Sequence, residues 1–213
     1  MKRYSLIAVA IIAIPIAWSC RPNAHDSTAD RLARTEVIVF RPALPTDVED
    51  GGRCWTESIA VSRPGAWRCM RDNFIFDPCF EISGKPGQVI CGADPSKHEV
   101  GFILKLSSRL PSPSPADHQV MAPWLIELQD RSICQIATGT MAAIAGEPVR
   151  YQCAGSKRDE IGSQPVYAGL IGSPYPEKIW TAEKVWFTVT SAGAGLPFKL
   201  IKRETVAIRR VWE

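Results

Sequence analysis

The side chains able to do chemistry in this 213-residue chain are chiefly seven cysteines, three histidines and several carboxylates near aromatic residues. Cys54, Cys69, Cys79, Cys91, Cys134 and Cys153 form an even set, the arithmetic of a disulfide framework in an exported protein. Structural zinc sites space paired ligands by about two to four residues. No CxxC or CxH pair occurs here, so neither a metal nor another cofactor is expected. Many connectivities are open to six cysteines. Turn residues between Cys134 and Cys153 (Gly139, Gly146, Pro148) and between Cys79 and Cys91 (Ser83 to Gly87) favour two cross-hairpin bridges, which leaves Cys54 with Cys69.

Signatures of catalysis are sparse. No GxSxG, SxxK, HExxH, GxxxxGK or GxGxxG occurs. The histidines are His25, His98 and His118. Asp94-Pro95-Ser96-Lys97-His98-Glu99 crowds a hydroxyl, an imidazole and carboxylates together, but triads are assembled from distant segments, so this reads as a surface loop. A cysteine nucleophile would need an unpaired thiolate beside a base, which an even, paired set does not supply. Glu57, Asp72, Asp77, Glu81, Glu127 and Glu183 lie near aromatic residues, as a glycoside-cleaving carboxylate pair would. Solvated surface charge is the simpler reading of each. Trp55 and Trp67, beside Arg53, Arg63 and Arg68, suit recognition of a glycan or protein. The competing reading places those tryptophans in the core around disulfides. Trp55, Trp67 and Arg68 are therefore the binding candidates, and Trp124 and Trp186, set in strand patterns, are expected in the core.

Cys20 stands apart from the other six. Lys2 and Arg3 precede thirteen residues, Leu6 to Trp18, that are all apolar or Pro, and Ala17-Trp18-Ser19 offers small residues at the cleavage positions. The apolar run is short of the ~20 residues of a transmembrane helix. A Cys directly after the cut is the residue lipidated in bacterial lipoproteins, so Cys20 is the expected lipid site and the membrane a partner through that anchor. Cleavage without lipid would leave a soluble secreted or periplasmic protein. Removing residues 1–19 leaves 25 − 2 = 23 basic against 22 acidic residues, a net charge of +1. A nucleic-acid partner has no electrostatic footprint here.

The elements that must position these groups read as β. Val37 to Phe40 forms a first strand within an otherwise tether-like stretch, residues 20–50. Val100 to Leu106, Trp124 to Leu128, Ser132 to Thr138, Val149 to Cys153, Lys184 to Thr190 and Leu200 to Trp212 follow as strands, with a hairpin turn at Gln129-Asp130-Arg131. Seventeen Pro and fifteen Gly break any long helical period. Short helices are expected at Asp30 to Arg34 and Trp180 to Val185. The four-proline segment 107–123 reads as a long surface loop within one domain. The expected organisation is a signal peptide over 1–19, a lipid-anchored tether over 20–50 and one cysteine-rich domain over 51–213. That domain is all-β, mainly antiparallel, sandwich- or barrel-like and disulfide-stapled, with minor short helices.

CWTESIAVSRPGAWRC (Cys54 to Cys69), DPCF (Asp77 to Phe80), VIC (Val89 to Cys91), PWLIEL (Pro123 to Leu128), GEPVRYQC (Gly146 to Cys153) and IWTAEKV (Ile179 to Val185) resemble, in that order, a group of uncharacterised bacterial exported proteins. The resemblance implies one exported domain over residues 51–213 and carries no functional residues with it. A non-catalytic envelope lipoprotein that binds a glycan, peptide or partner protein is the expected function. A cell-wall-directed hydrolase using paired carboxylates is the alternative.

Overall fold

The structure is a computed structural model that describes residues 34–112, 122–154, 165–189 and 198–213. Cys20, His25, His118 and the segment 30–33 lie outside the described residues. Two barrel-like sheets make up the fold, and no helix occurs among the described residues.

The first barrel is a meander of β2 (Val48–Glu57), β3 (Ala66–Arg71), β4 (Phe74–Glu81), β5 (Gln88–Cys91) and β6 (Phe102–Leu106). Each strand runs antiparallel to the next. An odd number of alternating strands leaves the first and last pointing the same way, so β6 closes on β2 in parallel. Gly101 enters β6 with φ 74°, and a Cβ there would lie 2.7 Å from the Ala93 nitrogen, so only glycine fits the turn.

The second sheet contains β7 (Leu125–Leu128), β8 (Ile133–Ile136), β9 (Ala143–Ile144), β10 (Glu147–Ala154), β11 (Val166–Tyr175), β12 (Thr181–Val189) and β13 (Phe198–Trp212). β13 is long enough to serve two neighbours. Its first ten residues pair with β12 and its last five with β7, completing the ring β7-β8-β10-β11-β12-β13. β1 (Glu36–Ile38) lies parallel to the end of β13, with Glu36 opposite Arg210. Two strands, at Glu36–Ile38 and from Val48, thus reach into the stretch expected to be tether. The segment Trp180 to Val185, expected as a short helix, instead leads into and forms the start of β12. Its burial alternates along Thr181 to Lys184, and two antiparallel ladders supply partners that an isolated helical turn would lack.

All three expected cysteine pairs are bonded: Cys54–Cys69, Cys79–Cys91 and Cys134–Cys153. Each joins residues directly opposite each other on antiparallel strands. The Sγ atoms of Cys69, Cys79 and Cys91 lie within 4.8 Å of one another, so two disulfides fill the first barrel with Trp67, Val89 and Leu104. Ile126, Leu128, Tyr151, Leu170, Ile208 and Val211 fill the second ring beside the third disulfide. A further cluster belongs to both: Ala60, Val61, Ala66 and Phe80 of the first barrel pack on Trp124, Leu125 and Trp212 of the second. Phe40 tilts against Phe80 and Trp124 at 5.8 Å from each ring centroid, and the Arg63 guanidinium lies 4.6 Å over Phe80. The strands flanking residues 107–123 therefore belong to different sheets that share an apolar seam.

Candidate functional site

On the outer wall of the first barrel, a bulge after Cys54 shifts the β2–β3 register so that Thr56 rather than Trp55 faces Arg68. Trp55 is 43 % exposed and the Arg68 guanidinium sits 5.7 Å above its ring. Behind Arg68 lies the buried Asp77, 3.8 Å from Nη1. The Ser58 hydroxyl donates to Asp77 Oδ1 at 2.5 Å and the Ile59 N–H reaches Oδ2 at 3.4 Å. Burial pushes the Asp77 carboxyl up, against the pull of Ser58, Ile59 and Arg68. Arg68 Nε is buried and has no hydrogen-bond partner among the described residues. The result is a half-exposed indole plate edged by a guanidinium and backed by a carboxylate. Flat apolar faces bearing hydroxyls fit such a surface. Trp67 does not join it. This residue is 3 % exposed and donates its indole N–H to Glu81 at 2.8 Å, so it belongs to the barrel core.

A second feature lies where the barrels meet. A cleft of about 690 Å³ opens between the Asp94–Lys97 loop of the first barrel and the outer face of β7, β8 and β10. In the loop, Asp94 Oδ1 accepts from the Ser96 hydroxyl at 2.6 Å and Oδ2 from Lys97 at 2.8 Å. Burial alone would raise the Asp94 carboxyl, but the bonds from Lys97 and Ser96 outweigh it and hold the group below its usual range. His98, at φ 60°, turns the loop. Across the cleft, Arg131 occupies the left-handed region at φ 70°, where a non-glycine residue costs roughly 1–3 kcal/mol. Its side chain is 67 % exposed and bonds Glu127 at 3.1 Å. Gln135 and Gln152 stand directly opposite one another on β8 and β10 and are exposed.

The six carboxylates near aromatic residues are scattered, each engaged by its own neighbours. Asp72 flanks Arg71 at 3.5 Å, Glu81 accepts from Trp67, and Glu183 holds Arg203 and the Thr205 hydroxyl. Glu127 is buried between Arg131, Arg209 and Arg210. Asp77 is tied to Ser58, and Glu57 is half-buried at the end of β2. Two clefts stand out among the described residues, one lined by Glu81 alone of the carboxylates and the other by Asp94 alone. Neither presents the two convergent carboxylates that glycoside cleavage requires. Trp124 is buried as expected, whereas Trp186 is only half-buried, between Lys184 at 4.9 Å and Lys202 at 4.7 Å. Arg131, Gln135 and Gln152 carried no sequence signal beyond a hairpin turn, because register across strands places them. Comparison with protein-family models, with curated proteins and with solved structures finds no match.

Proposed function

We propose that this chain is a non-catalytic lipoprotein of the bacterial envelope, tethered through lipid on Cys20, that binds a glycan on the Trp55–Arg68 face. The observation that carries the reading is the exposed indole of Trp55 with a guanidinium stacked on it. Three disulfides fit an exported protein. The scattered carboxylates favour binding over hydrolysis. Titration with soluble β-1,4-linked N-acetylglucosamine oligomers should quench tryptophan fluorescence and release no shorter sugars. Trp55→Ala should weaken binding roughly fivefold, in line with the loss of about 1 kcal/mol of stacking. Sugar release that single Glu→Gln changes abolish would instead establish the hydrolase. Cys20→Ser should free the protein from membranes, and unchanged membrane retention would refute the lipid anchor.

A further inference from the structure

We propose that the cleft between the two barrels is a second binding site, for a short peptide carrying a free carboxylate, with Arg131 as its anion-binding side chain. At about 690 Å³ the cleft lies within the ~300–1,000 Å³ span of small-ligand sites, which favour boundaries between folded units. Its floor is partly apolar, from Leu125, Ile133 and Ile136. Gln135 and Gln152, opposite each other on neighbouring strands, present paired amide donors and acceptors suited to peptide main chain. The charge at the rim has one sign in excess among the described residues. Lys97 is neutralised by Asp94 at 2.8 Å, but Arg131 shares its acidic partner Glu127: Oε1 also accepts from Arg209 at 2.5 Å, and Oε2 faces Arg210 at 3.5 Å. Arg131 commits one nitrogen to Glu127, and the rest of its five-donor fork is available to a ligand carboxylate. The backbone adds a second, independent sign. Arg131 holds a left-handed conformation that glycine would adopt without strain, the kind of local cost that persists at functional positions.

The test is isothermal titration of the full-length protein in detergent micelles with Ala-Ala-Ala and with its C-terminal amide, up to millimolar peptide. The free acid should bind saturably and the amide at least tenfold more weakly. Arg131→Gly should weaken acid binding at least tenfold while thermal unfolding stays put or rises by about 2–4 °C, since relief of backbone strain offsets one exposed ion pair. The double variant Gln135→Leu, Gln152→Leu should weaken acid and amide alike. Trp55→Ala should change nothing here, which separates this site from the glycan face. Equal binding of acid and amide, no binding of either, or full acid binding by Arg131→Gly would overturn the proposal.

Discussion

Lys184 offers the sharpest test of how the second barrel is held together. It lies on β12 at 1 % exposure, donates to Asp130 Oδ2 at 2.8 Å and Ser132 Oγ at 3.0 Å, and packs on the Trp186 ring. The pair is lopsided, because the Asp130 side chain is 57 % exposed. Asp130→Ala leaves a buried ammonium with one hydroxyl and one ring face. Removing a partner from a buried ion pair costs about 3–5 kcal/mol, and those surviving contacts place this case near 3 kcal/mol. Lys184→Met does the reverse. The carboxylate left behind is largely in water and keeps Ser132, while a thioether on Trp186 contributes about 0.3–1.5 kcal/mol, so the net loss should stay within ~1 kcal/mol. The double variant should recover most of what Asp130→Ala loses. In urea at neutral pH, with disulfides intact and tryptophan fluorescence as readout, Asp130→Ala should lower the midpoint by roughly 1 M, taking a slope of about 2–3 kcal/mol/M. The acid limb provides a second check. Burial opposes but does not overcome the Lys184 and Ser132 bonds that hold the Asp130 carboxyl below its usual range. Its stabilisation is therefore complete above the ordinary aspartate value near ~4 and is lost as pH falls through the lower folded value. Asp130→Ala should flatten that acid limb. A Lys184→Met variant as damaged as Asp130→Ala, or an Asp130→Ala variant within 1 kcal/mol of the parent on that ~3 kcal/mol scale, would refute the reasoning.

Other parts of the fold yield direct tests. Tyr151→Phe removes the hydroxyl that donates to the buried Pro123 carbonyl at 2.8 Å, and should cost about 1–2 kcal/mol by urea denaturation. Gly101→Ala forces a side chain at φ 74° against the Ala93 nitrogen and should cost more than ~3 kcal/mol, or prevent accumulation of folded protein. Asp77 titrates in the opposite sense to Asp130. Its folded value is raised, so its contribution is fullest below the ordinary aspartate range and is lost as pH rises through the folded value. Asp77→Asn should therefore lose less stability at pH 7 than at pH 4, as read from urea midpoints at the two pH values.

The cysteine pairing was legible because turn residues lie between two of the pairs, and hairpin neighbours bond across their own turn. The Gln129-Asp130-Arg131 hairpin was equally local. The Trp55–Arg68 pairing was half legible: residue types pointed to the segment, but nothing in sequence said that the bulge after Cys54 would turn Trp55 outward while Trp67 turned in. The short helix expected from Trp180 was misplaced because ladder partners on β11 and β13 outweigh a weak local preference.

What the sequence determined on its own is whatever depends on neighbours within a dozen or so residues. The even set of six cysteines apart from Cys20, the alternating strands and the hairpin turns all belong there. What only the tertiary structure decided are contacts set by long-range register. β13 reaches past β12 to close on β7, and Phe40, Phe80 and Trp124 meet from three distant segments. The same closure buries Lys184 against Asp130 and opens the cleft beneath Arg131. Side-chain period says which face of a strand is apolar, but not which other strand that face will meet.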